Sequence, residues 1–115
     1  MTDVPLKNES IGISAHLADV STAGQIYVVV PKTGILRTVY SALNGAIATA
    51  DAGITVKSAG TSVGTITIAN SGSAAGDVDE LRVDKQVNEG DTLEFETDGA
   101  STNTVAVSFT AVIEG

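Results

Sequence analysis

The chain has 115 residues, the size of one domain, with 6 Lys+Arg against 14 Asp+Glu and a formal net charge of -8. That balance argues against duplex nucleic acid, where Lys and Arg must neutralise phosphate, and against an anionic membrane surface; it suits a basic protein partner. Cysteine is absent, which excludes disulfides, thiolate metal sites and cysteine nucleophiles.

The core must be built from small aliphatics. There is no Trp, and Tyr27, Tyr40, Phe95 and Phe109 are the only aromatics. Val and Ile therefore supply most of the buried area, at roughly 1.5–3 kcal/mol for each side chain fully buried. A core of this kind gains from association, so an oligomer or a host surface is expected.

Residues 1–9 read as an extended N-terminal arm, because Pro5 and the lack of periodicity argue against a helix. The same stretch carries Asp3, Lys7 and Glu9 and has no apolar h-region, so no signal peptide is expected. Ile11, Ile13, Ala15 and Leu17 then alternate with Gly12, Ser14, His16 and Ala18, the pattern of a half-buried strand. After a turn at residues 21–24, residues 25–30 are apolar on both faces, with Ile26, Val28 and Val30 on one and Tyr27 and Val29 on the other. Such a strand is expected to be central, or to hold one face against another subunit. The apolar run is far too short to span a membrane.

Pro31 to Gly34 turn the chain into a strand over residues 35–43, with Val39 and Tyr40 its heaviest members. Asn44-Gly45 is a turn dipeptide. The Ala-rich residues 46–52 suit one helical turn or a loop crossing between sheets. Residues 54–58 and 65–69 read as two short strands joined by a longish hairpin loop over 59–64. Residues 70–76 are a small-residue loop. Residues 77–87 fit neither the helical nor the strand period, and a strand is expected around Leu81–Val83. Beyond a turn at residues 88–91, Thr92–Thr97 alternates sharply, Leu93 and Phe95 inward, Glu94 and Glu96 outward. A turn at residues 98–101 leads to a final strand with Val105, Val107, Phe109, Ala111 and Ile113 on one face. The sum is an all-β protein of about eight short antiparallel strands, a single small β-sandwich over residues 10–115.

Catalytic chemistry finds little to work with. Nucleophilic catalysis needs a nucleophile, a base and a group that orients the base. His16 is the only histidine, it falls on the polar face of its strand, and no Gly-x-Ser-x-Gly elbow occurs. One histidine does not build a cupin-type transition-metal site. Asp77-Val78-Asp79-Glu80 and Glu89-Gly90-Asp91 offer oxygen ligands for calcium but lack EF-hand spacing, so they read as solvated loops. Glu94 and Glu96 share a strand face and suit the separation of a glycosidase pair. Alternating Glu also keeps an exposed sheet soluble, and a sugar cleft normally adds aromatic platforms. Gly60, Gly64, Gly72 and Gly76 lack the following Lys-Ser/Thr of a phosphate loop and read as turn residues. No enzyme, cofactor or metal is expected.

The order of motifs carries a resemblance. Gln25-Ile26-Tyr27-Val28-Val29-Val30-Pro31-Lys32-Thr33-Gly34 leads into a strand with Val39-Tyr40, and Ala50-Asp51-Ala52-Gly53-Ile54-Thr55-Val56 and Ser71-Gly72-Ser73-Ala74-Ala75-Gly76-Asp77-Val78 follow. The end is Val87-Asn88-Glu89-Gly90-Asp91, a strand, and Thr97-Asp98-Gly99-Ala100-Ser101-Thr102. Over residues 11–113 this resembles the head decoration, or cement, proteins of tailed bacteriophages, which have a jelly-roll-like β-sandwich. The Val-x-x-Gly-Asp turn also recurs in unrelated trimeric sandwiches such as tumour-necrosis-factor-like folds.

The resemblance implies a non-enzymatic role on the capsid exterior, with assembly in the host cytoplasm. It implies homotrimers or homodimers that bind the major capsid protein and tie neighbouring shell subunits together. It transfers no catalytic residue. From the residues themselves, Val4, Pro5 and Leu6 of the arm and Tyr27 and Val29 of the apolar strand are the candidate capsid or subunit contacts. A carbohydrate- or receptor-binding module of a virion appendage, with Tyr27 or Tyr40 as a platform, is the alternative.

Overall fold

A computed structural model describes residues 10–115. The expected arm over residues 1–9, with Val4, Pro5 and Leu6, lies outside the described residues. The described chain holds eight strands and no helix: β1 (Ser10–Leu17), β2 (Gly24–Val29), β3 (Gly34–Leu43), β4 (Ala52–Ser58), β5 (Thr61–Ile68), β6 (Val78–Val87), β7 (Thr92–Thr97) and β8 (Val107–Glu114).

They form two four-stranded antiparallel sheets, ordered β1-β8-β3-β6 and β2-β7-β4-β5. Apart from the β4–β5 hairpin, every connection crosses between the sheets. That strand order is the jelly roll, two Greek keys folded face to face.

Period-two patterning dictates which residues fill the space between the sheets. In β7, Leu93, Phe95 and Thr97 point inward and are buried, while Thr92, Glu94 and Glu96 face out. In β8 the buried set is Val107, Phe109, Ala111 and Ile113. β4 adds Ile54 and Val56 from the facing sheet. Phe95 and Phe109 meet across the two layers with ring centroids 4.6 Å apart and planes inclined by 11°, an offset stack. Each stands on an inner strand of its sheet, so the stack pins the layers at their middle.

Several sequence expectations are corrected. The apolar strand over residues 25–30 is not central: β2 is an edge strand, and Tyr27 and Val29 are 58% and 60% exposed. Among the described residues nothing covers its second apolar face. Of the two readings of the Ala-rich stretch, a helical turn or a crossing loop, the structure has the loop, held by an isolated bridge between Ala48 and Thr102. The hairpin loop is shorter than expected. Ala59 and Gly60 alone make the turn, both with positive φ (49° and 84°), and β5 starts at Thr61. That pair of positive φ angles matches the right-handed twist of the flanking strands.

β6 is longer than expected; its inward residues Asp79, Leu81, Val83 and Val87 keep one phase, and the pattern was obscured because the apolar Val78 lies outward, 63% exposed, while the charged Asp79 lies on the inward face. The break in phase is in β3. Bulges offset β3 against both neighbours between Leu36 and Thr38, and opposite them Asp84 adopts φ 52°. An inserted residue flips the face of every later side chain. Leu36 and Val39 both face inward for that reason, although three positions apart. The bulge also aims Arg37 outward, where it donates to Asp84 Oδ1 (3.1 Å) and Glu114 Oε1 (2.9 Å), bridging β3 to β6 and β8.

Replacing either stacked ring removes the largest side chain at the sheet–sheet contact. Phe95→Ala or Phe109→Ala is expected to lower unfolding free energy by about 3–5 kcal/mol. The double variant is expected to cost less than the sum, because the rings share one contact. Urea denaturation of the four proteins checks both statements, and strict additivity would show that the stack contributes nothing of its own.

Candidate functional site

The outer face of the β2-β7-β4-β5 sheet carries the most unusual surface among the described residues. Its geometry follows from register. Val29 pairs with Thr92, whose carbonyl accepts from Ala59 N at 2.9 Å, so Val29, Thr92 and Ala59 form one lateral row. The next row is Tyr27, Glu94 and Lys57, and the third is Gln25, Glu96 and Thr55. Side chains in register across a sheet stand close enough to interact. Lys57 Nζ lies diagonally 3.3 Å from Glu96 Oε1. Tyr27, Val29, Ala59, Gly60, Thr92 and Glu94 together line a shallow open hollow.

This surface is apolar at the edge and polar toward the centre. Tyr27 and Val29 lie on the outermost strand, and the half-buried Glu94 and Glu96 lie one strand in. An exposed Tyr beside an exposed Val is an interface-type pairing: the ring offers a large rigid contact area, and its hydroxyl keeps a polar handle.

The other residues singled out in the sequence are scattered. Tyr40 is 38% exposed on the outer face of the opposite sheet, opposite Thr110 and Glu80, so the two tyrosines do not share a site. His16 is exposed on that same opposite sheet, its Nδ1 3.5 Å from Ser108 Oγ in the directly paired position. Glu94 and Glu96 do share a face, as expected, with Glu96 held by Lys57.

The acidic clusters are largely occupied by their own backbone. Asp77 Oδ2 accepts from Ala74 N, Asp91 Oδ2 from Asn88 N, and Asp51 Oδ1 from Asn70 N, each at 2.9 Å. Asp98 Oδ1 accepts from Ala100 N at 3.0 Å. Asp19 accepts from the Ser21 side chain and backbone and from Thr22, and these bonds hold its carboxyl below the usual range. Aspartate closes tight loops because its short side chain reaches a backbone N–H two or three residues away. Among the described residues no group of three or more His, Asp or Glu is arranged to hold a metal ion.

Sequence reasoning named Tyr27 and Val29 but not Gln25, Lys57 or Thr92. The alternation of β7 and β4 was the available signal for their shared face. It gives the face of each strand but not which strands are neighbours.

No family model matches the chain, and no curated protein does. Among solved structures, dimeric latent PorU from Porphyromonas gingivalis has a similar fold, with a TM-score of 0.52 and 12% sequence identity. The likeness covers 96% of this chain but 13% of that one, so the chain spans a small part of the length of the protein it matches. At that identity the likeness is one of fold.

Asp79 differs from the loop aspartates. On β6 it faces partly inward, and burial, reinforced by the neighbouring Asp77, pushes its carboxyl above the usual range. A carboxyl raised by folding destabilises the fold once ionised, so the penalty is present at neutral pH and vanishes on acidification. Asp79→Asn is therefore expected to raise the thermal midpoint at pH 7, with the gain shrinking as pH falls through the carboxylate range. Melting curves at pH 7 and pH 4 check this, and a gain that grows toward acid contradicts it.

Proposed function

We propose that this protein is a non-enzymatic structural protein that binds the outside of an assembled phage capsid and bridges neighbouring shell subunits. The major capsid protein is its partner, the capsid exterior is its place, and it joins the shell in the host cytoplasm. The observation that carries the reading is the exposed Tyr27–Val29 patch on an acidic jelly roll. The order of turn motifs along the chain supports it. A net charge of -8 keeps such a molecule soluble and favours a basic partner surface. No residue is assigned a catalytic role, and no cofactor is invoked.

The mechanism is mass action. A molecule that binds only the assembled shell stabilises that state by RT ln(1+[L]/Kd) at each site. Bridging adds a second contact made at high effective concentration, so modest contacts suffice. Shells carrying the protein are expected to rupture at higher temperature than bare shells, and equal rupture temperatures would refute cementing. Tyr27→Ser with Val29→Ser removes the apolar patch and is expected to weaken shell binding by about 2–4 kcal/mol, roughly 30- to 1000-fold. Shell co-sedimentation over a titration reads that change.

A carbohydrate-binding role is the second reading. The open ring of Tyr27, flanked by Gln25, Thr92 and Glu94, favours it, since sugars stack on exposed aromatics and hydrogen-bond to polar neighbours. It predicts a saturable signal on a glycan array that Tyr27→Ala abolishes. A blank array removes it.

A further inference from the structure

Among the described residues strand β2 has its backbone unpaired on one side, and the groups left open belong to the residues with exposed apolar side chains. Just past the strand, Val30 N donates to Asp91 O at 2.8 Å and Val30 O accepts from Gly90 N at 2.9 Å, so Val30 turns its backbone toward the β7 side. Backbone groups of successive residues in an antiparallel strand point alternately to its two sides. Val28 and Ile26 therefore pair with β7, while Gln25, Tyr27 and Val29 direct their N–H and C=O groups outward. Among the described residues no strand pairs with β2 there.

Edge strands are normally guarded by charge, proline or bulges. β6, an edge of the other sheet, has Asp79, Glu80, Arg82, Asp84 and Lys85 together with a bulge. β5, the far edge of β2's own sheet, is offset against β4 between Val56 and Lys57. β2 reads Gly-Gln-Ile-Tyr-Val-Val, with no charge, no proline and an unbroken register. Beside it lies β1, the neighbouring edge of the other sheet, also free of carboxylates and lysines. On this side of the sandwich even the inward residues are only partly covered: Ile11, Ile13, Ile26 and Val28 pack on the core but stay half-buried.

We infer that β2 is a self-pairing edge: a second copy of this chain adds its own β2 antiparallel about a two-fold axis near Tyr27, joining two four-stranded sheets into one of eight strands. This occupies the backbone edge beside the patch described above, leaves the side-chain face of that patch open to the shell, and rests on that reading only in taking this side for a contact. In that arrangement Tyr27 faces Tyr27 of the second copy, and Gln25 faces Val29. The half-covered Ile and Val residues lose their exposure, and a two-fold contact closes on itself and leaves neither β2 edge free.

Charge selects the occupant. With a net charge of -8, two copies repel wherever carboxylates meet, and the β1–β2 side brings none of its strands' side chains into that position. The nearest acidic groups on the joined sheet, Glu94 of each copy, stand three strand spacings apart. That is about 14 Å, beyond the Debye length of about 8 Å at physiological salt.

Sedimentation of the isolated full chain between 1 µM and 1 mM, at physiological salt, tests this. The expected limit at high concentration is twice the 11.6 kDa of one chain. Tyr27→Lys sets two like charges on the axis, and Val29→Pro removes an outward N–H without breaking a β2–β7 bond. Each is expected to weaken association at least tenfold with an unchanged circular dichroism spectrum, while Tyr40→Lys on the opposite sheet leaves it intact. Should either edge variant fail to fold, amide exchange in the unaltered chain decides: Tyr27 and Val29 are expected to be protected at high concentration and to exchange freely on dilution. A monomer throughout, a trimeric mass, a dimer that survives both edge variants, or exchange rates independent of concentration overturns the pairing. None of those results bears on rupture of shells with and without the protein. A monomer whose shell binding is lost with Tyr27→Lys overturns self-pairing and gives the patch to the shell.

Discussion

The contact between the two sheets through Phe95 and Phe109 is the constraint on which the remaining structure depends. With no Trp and only these two rings available to the core, the largest single contact between the layers is one stack on two inner strands. Around it Val, Ile and Leu fill the space, each too small to define the layer separation alone. Interiors pack at the density of organic crystals, so the ring pair sets the spacing and the branched aliphatics adapt to it. The jelly-roll path follows, because strands that alternate between layers must each turn a single apolar face inward.

Committing the aliphatics inward leaves the outer faces to polar residues, and the acidic surplus is placed there and in the loops. Four aspartates close turns through nearby backbone and Asp51 ties its loop to the distant Asn70, so the charge that keeps the molecule soluble also organises its connections. Arg37 ties three strands together on the outside at the bulge that rephases β3. These features account for most of the sequence's polar motifs without recourse to catalysis. What they do not account for is an exposed Tyr and Val side by side on an unguarded edge. That residue of unexplained apolar surface is what directs the functional reading toward contacts between proteins.

Composition and local pattern determined the fold class, most strand positions and the face of each side chain in β1, β7 and β8, because period-two alternation is a local property of the extended chain. They also singled out Tyr27 and Val29, since an apolar residue on both faces of one strand is visible without any partner. Tertiary structure decided where β2 sits. The same apolar run is compatible with a central strand or an edge, and the choice depends on which strands lie beside it, a matter of long-range pairing. The phase of β3 was likewise undetermined, because a bulge is specified by the register between two strands. The rows that place Tyr27 beside Glu94 and Lys57 join residues some thirty positions or more apart in the chain, and only folding puts them in line.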